Sequence, residues 1–130
     1  MEHNWDWNKQ YPVIHFSFGG SSAYDSKTTF LDIVWQNLQK YAQLYDVNLD
    51  TTRNYGTAFY QLIQDISNHQ QQQVVILIDE YDKPILDNIT NKIQAIEMRE
   101  MLKDLYSIIK ECDEYIKFVL MTGVSKFSKV

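Results

Sequence analysis

The segment Val74, Val75, Ile76, Leu77, Ile78 is a run of five apolar residues, four of them β-branched, that ends abruptly in Asp79 and Glu80. A run this short and this uniformly apolar reads as a strand buried on both faces, the pattern of a parallel sheet sandwiched between helices. Two further segments carry the same signal, Val13 to Phe18 and Phe118 to Thr122. In the first of them His15 and Ser17 interrupt the apolar residues, an alternation that suits an edge strand with one wetter face.

Between these strands the periodicity changes. Phe30, Val34, Leu38, Tyr41 and Tyr45, spaced by four and three residues, predict an amphipathic helix from about Thr28 to Tyr45. Phe59, Leu62, Ile63 and Ile66 predict a second, opening near Gly56 and Thr57 and followed by a polar link, Asn68 to Gln73. Ile93, Ile96, Met101, Leu102, Leu105, Ile108 and Ile109 mark a third. Each crossover is long enough for a βαβ unit, so the order predicts an α/β fold with parallel strands. If the strands are neighbours in sequence order, right-handed crossovers place every helix on one face of the sheet. The other face is then bare, and the chain on its own is expected to self-associate or to be poorly soluble.

Composition removes several classes of function. At 130 residues the chain is one domain at most. Its 12 Lys+Arg against 17 Asp+Glu leave a net charge of −5, which argues against a general basic surface for nucleic acid and leaves only indirect association with it. The single cysteine, Cys112, can form no intrachain disulfide, and Met1 to Gln10 lacks the basic start and apolar stretch of a signal peptide. A reducing, cytoplasmic setting is the expectation. No apolar run approaches the roughly 20 residues that cross a bilayer, so no membrane partner is expected.

The chemistry is expected at the carboxyl ends of the strands, where open α/β sheets bind ligands. An apolar run followed by Asp and Glu is the Walker B pattern of P-loop ATPases. There the acid at the strand tip, Asp79, holds the water shell of a Mg²⁺ ion, and the next residue, Glu80, orients the water that attacks the γ-phosphate of ATP. The same run also fits an ordinary strand that becomes acidic where it meets solvent. At the tip of the Phe118 strand, Thr122 is the natural polar sensor beside the γ-phosphate and Ser125 the second candidate; Lys126 and Lys129 are read as solvated. A P-loop needs GxxxxGK[ST], and the sequence has none: Gly19 and Gly20, followed by Ser21, Ser22 and Lys27, read as a strand-to-helix turn. A metal-dependent nuclease centred here fits poorly, because Tyr81 stands where an acid would pair with Lys83; Asp82 and Lys83 read as a salt-linked turn before Pro84. His15 and Cys112 are read as structural, and Arg53 and Arg99 as solvated helix-surface residues rather than charge-stabilising arginines between subunits.

Three strings taken together resemble the bacterial AAA-ATPase-like family. They are Trp5 to Lys9 with Tyr11 to Ile14 and Ser17 to Gly19, then Ile78 to Pro84 (IDEYDKP) with Ile85 and Leu86, then Thr122 to Ser128 (TGVSKFS). The resemblance implies a three-layer P-loop NTPase-like parallel sheet in which residues 1–130 are a partial domain with three neighbouring strands. The strand and loop that bind phosphate would precede this segment and pair beside the Phe118 strand, and a PD-(D/E)XK nuclease-like part would follow Val130. It further implies Asp79 as the Mg²⁺-associated acid, Glu80 as the catalytic residue, Thr122 as the sensor, and ATP with Mg²⁺ as the ligands. The partners implied are the remaining ATPase and nuclease-like parts, with a second copy of the chain also in view. The alternative is a non-catalytic remnant that serves as a binding or scaffolding module.

Overall fold

Three parallel strands, each begun by its apolar run, build the sheet of the computed structural model, which describes residues 10–20 and 23–123. They are β1 (Val13–Ser17), β2 (Val74–Asp79) and β3 (Ile116–Met121), in the spatial order β1-β2-β3. The helices between them are α1 (Lys27–Leu44), α2 (Tyr55–Gln70), a single turn α3 (Lys83–Leu86) and α4 (Lys92–Glu111). A 3₁₀ turn, Asp113–Tyr115, leads into β3. The fold is therefore α/β, an open sheet of parallel strands linked by helices.

Local chemistry sets the helix boundaries. Ser26, Asn54 and Asn91 each accept a hydrogen bond from a backbone amide in the first turn of α1, α2 and α4, which satisfies a donor that the helix itself leaves open. Helix α2 runs further than its apolar stripe foretells. It continues to Gln70 and ends on Gln71 in the left-handed region (φ 52°), which shortens the expected link to Gln71–Gln73. The turn α3 is absent from the periodicity reading; Pro84 sits at its start, where a missing N–H costs nothing.

The register sorts side chains onto two faces. Ile14 pairs with Ile76 and Phe16 with Ile78, and all four are fully or almost fully buried under the helices. Phe16, Phe18, Phe30 and Phe59 interlock there, with centroids 5.2 Å apart for Phe16–Phe59 and 5.4 Å for Phe18–Phe30, so β1 is fastened to both α1 and α2 through aromatic contacts. His15, Leu77 and Leu120 lie in register on the opposite face, where His15 and Leu120 are exposed and Leu77 is half-buried.

The expectation of three strands buried on both faces is corrected here. Only β2 approaches it, because it has a neighbour on each side; β3 is exposed from Lys117 onward. Val119 and Met121 point toward the helix layer yet stay 37% and 41% exposed, and Leu120 on the other face reaches 54%. An apolar edge strand open on both faces is the surface that proteins normally blunt with charge. Leu120→Lys is therefore expected to raise the monomer fraction of this chain in size-exclusion chromatography without lowering its melting temperature; unchanged association would place the adhesive surface elsewhere.

Cys112 is buried in the core, and burial followed by the Glu111 charge pushes its thiol up to about 12. A raised thiol value means that the folded protein keeps the neutral form, while the unfolded chain ionises near its ordinary value. That contribution to stability is present below the unfolded value and is lost as pH rises above it. At pH 8 Cys112 is expected to react with a disulfide reagent only as fast as the protein opens, and in urea at the rate of a free thiol; fast native labelling would contradict its burial.

Candidate functional site

At the carboxyl end of the sheet, backbone bonds lash the strand tips together. The Phe18 amide donates to the Asp79 carbonyl at 3.1 Å, the Thr122 amide to the Ile78 carbonyl at 2.8 Å, and the Tyr81 amide to the Thr122 carbonyl at 3.0 Å. These bonds hold the end of β2 from both sides. The Thr122 hydroxyl donates to Oδ1 of Asp79 at 2.6 Å, while Oδ2 faces Nε2 of His15 at 3.9 Å. Asp79 is half-exposed, so its carboxylate is both oriented and open to solvent.

Asp79 and Thr122, 43 residues apart, are thus joined directly. Glu80 takes φ 53°, a left-handed conformation that costs a residue with a β-carbon about 1–2 kcal/mol, and its carboxylate lies against the backbone of Gly19. Ser125, with Lys126 and Lys129, lies outside the described residues. A shallow hollow of about 200 Å³ opens on the bare face, lined by His15, Leu77, Ile78, Asp79, Leu120 and Thr122.

A second set of contacts lies behind the tip and ties the segment after β1 to the turn after β2. The buried Asn88 donates to the carbonyls of Tyr24 and Pro84, and the Tyr24 amide donates to Oδ2 of Asp87 at 3.1 Å. Lys83 pairs with that same oxygen at 2.8 Å, its ammonium 5.3 Å from the Tyr24 ring centroid. Lys83 thus reaches Asp87, one helical turn on. Burial first, then the carboxylates of Asp87 and Glu80, raise the Tyr24 phenol above its ordinary range.

Mg²⁺ keeps several waters and takes one or two protein carboxylates beside substrate phosphates. The half-exposed Asp79 with its hydroxyl neighbour fits that demand. Among the described residues no group of three or more His, Cys, Asp or Glu is arranged to hold a metal ion. Arg53 is exposed and bonded to Asp50 at 3.2 Å just before the start of α2, in keeping with its reading as a surface residue. No helix of the described residues is long and apolar enough to cross a membrane.

Sequence reasoning did not single out two neighbours of the tip: His15, read as structural, has Nε2 3.9 Å from Oδ2 of Asp79, and Gly19, read as a turn residue, lies against the Glu80 carboxylate. The signal for both is the register between β1 and β2, which places Ser17 beside Asp79 and is not written in either strand alone.

This fold is an open α/β sheet of parallel strands with the acids Asp79 and Glu80 at the tip of its central strand. The family described as Predicted AAA-ATPase matches residues 1–130, and the chain belongs to it. It is 41% identical over 133 residues to a protein from Azotobacter chroococcum mcd 1 described as an uncharacterized protein in the vnfD 5′ region, an alignment that covers 97% of this chain. The chain spans about a quarter of that relative's length (24%). No solved structure matches it significantly.

The strained backbone at Glu80 has a measurable consequence. Gly accepts the left-handed region freely but loses about 0.5–1 kcal/mol through its larger unfolded-state entropy. Glu80→Gly is expected to match the wild type in urea unfolding or to exceed it by up to about 1 kcal/mol, whereas a loss of more than 1 kcal/mol would mean that Glu80 supports the fold.

Proposed function

We propose that this chain is the Walker B and sensor portion of an ATPase domain, with Asp79 oriented toward a hydrated Mg²⁺ and Glu80 orienting the attacking water. The observation that carries the reading is the Thr122–Asp79 hydrogen bond at the paired tips of β2 and β3. It brings a hydroxyl from one strand and an acid from the next to the edge where open α/β sheets take their ligands. Bound Mg²⁺ would neutralise charge developing on the phosphoryl oxygens. This chain's residues do the positioning: Thr122 holds the Asp79 carboxylate in one orientation, and Glu80 supplies the carboxylate that orders water.

The exposed apolar side chains of β3 among the described residues support a further part of the reading. The strand and helix that bear the phosphate-binding loop would pair with β3 and close its exposed apolar side, making residues 1–130 part of a larger ATPase domain. A nuclease-like part, a second copy of the chain and a cytoplasmic setting belong to the same proposal.

The test uses the intact protein that contains this chain. Glu80→Gln should keep Mg²⁺-dependent ATP binding and lower turnover by about 10²- to 10⁴-fold, the share general acid–base positioning supplies. Unchanged turnover would overturn the role of Glu80, and no binding of ATP with Mg²⁺ by the wild type would return the non-catalytic scaffolding reading.

A further inference from the structure

Glu80 leaves β2 through the left-handed turn and brings its carboxyl group onto the backbone of Gly19, two residues past the end of β1. A methyl group built on Gly19 would stand 2.3 Å from Oε2, 2.7 Å from Cδ and 3.0 Å from Oε1 of Glu80. Those are the three atoms nearest to it, and all belong to one carboxyl group. The backbone of Gly19 gives no reason of its own for glycine, since its neighbour Gly20 is the one with positive φ, at 102°. The requirement at position 19 is therefore steric, and the Glu80 side chain is what a β-carbon there meets first.

The loop that carries Gly19 is itself fixed at both ends. The Phe18 amide is bonded to the Asp79 carbonyl, and the Gly19 amide donates to the Ser17 hydroxyl at 3.3 Å. On its far side Tyr24 is held by Asp87 and Asn88 on the turn that follows Glu80. The floor under the carboxylate is thereby registered to the strand from which Glu80 springs. We propose that Gly19 is a positioning residue for Glu80, a bare stretch of backbone that lets the carboxylate reach its working place. The proposal rests on Glu80 as the water-orienting residue.

Alanine at position 19 fits the backbone and first meets the movable end of a glutamate. To regain ordinary contact at 3.4 Å the carboxylate must retreat by about 1.1 Å, a misplacement of the size that costs up to about 100-fold in rate. In the intact protein, Gly19→Ala is expected to lower kcat for ATP by about 10- to 100-fold, with KM for ATP within about twofold of the wild type and the melting temperature unchanged. Because the effect passes through Glu80, Gly19→Ala added to Glu80→Ala should bring no further loss.

Each other result has a distinct meaning. Wild-type kcat in Gly19→Ala beside a slow Glu80→Gln would overturn the positioning role and leave the ATPase reading standing. A further loss in the double variant, a raised KM or a lowered melting temperature would show that Gly19 acts by another route, and would also overturn it. Wild-type turnover in Glu80→Gln would remove the ATPase reading itself, and the inference with it.

Discussion

The structure depends on β2 being paired on both sides. A parallel strand with a neighbour on each side is held along both edges, and at its carboxyl end the bonds from Phe18 and Thr122 fix it to both adjoining strands. From that fixity follow the positions of Asp79, which continues the strand, and of Glu80, which breaks from it. The bond between Thr122 and Asp79 links the third strand to the same point, and Phe18 links the first. Three segments far apart in sequence thus meet within one set of short backbone and side-chain contacts.

Stability is distributed unevenly around that point. The helix side is a dense aromatic and aliphatic core, in which Phe16, Phe18, Phe30 and Phe59 are fully buried. The tip departs from what is best for folding alone, with a glutamate in a left-handed conformation, an acid left half-exposed and an apolar strand without cover on one edge. Strain of this kind persists where surrounding structure over-determines it, and it concentrates at working sites. The strand edge is a separate matter: Val119, Leu120 and Met121 have the composition of interior residues and the exposure of surface ones.

Much of this was legible in the residues. The three apolar runs and the helical spacings of Phe30 to Tyr45 and Phe59 to Ile66 announce a parallel α/β sheet, because burial on a sheet and burial on a helix impose different periods. The acids at the end of β2 and the threonine at the end of β3 were identifiable for the same reason, since a polar residue that ends an apolar run must sit at the tip. What the residues could not show is register. Whether His15 or Ser17 lies beside Asp79, and whether Gly19 lies beneath Glu80, depends on how β1 slides along β2, and that is set by packing of Phe16 and Phe59 on the helix side of the sheet. The short turn α3 was hidden because four residues are too few to display a period.

The central claim is that the tip of β2 presents Asp79 to a hydrated Mg²⁺ in an ATPase site. The most direct measurement is the Mg²⁺ dependence of ATP hydrolysis by the intact protein, compared with Asp79→Asn, which keeps the shape and the Thr122 contact but removes the charge. The account predicts that the variant requires far more Mg²⁺ or loses Mg²⁺-dependent hydrolysis altogether, with its melting temperature retained. Superimposable Mg²⁺ titrations of the two proteins would contradict it.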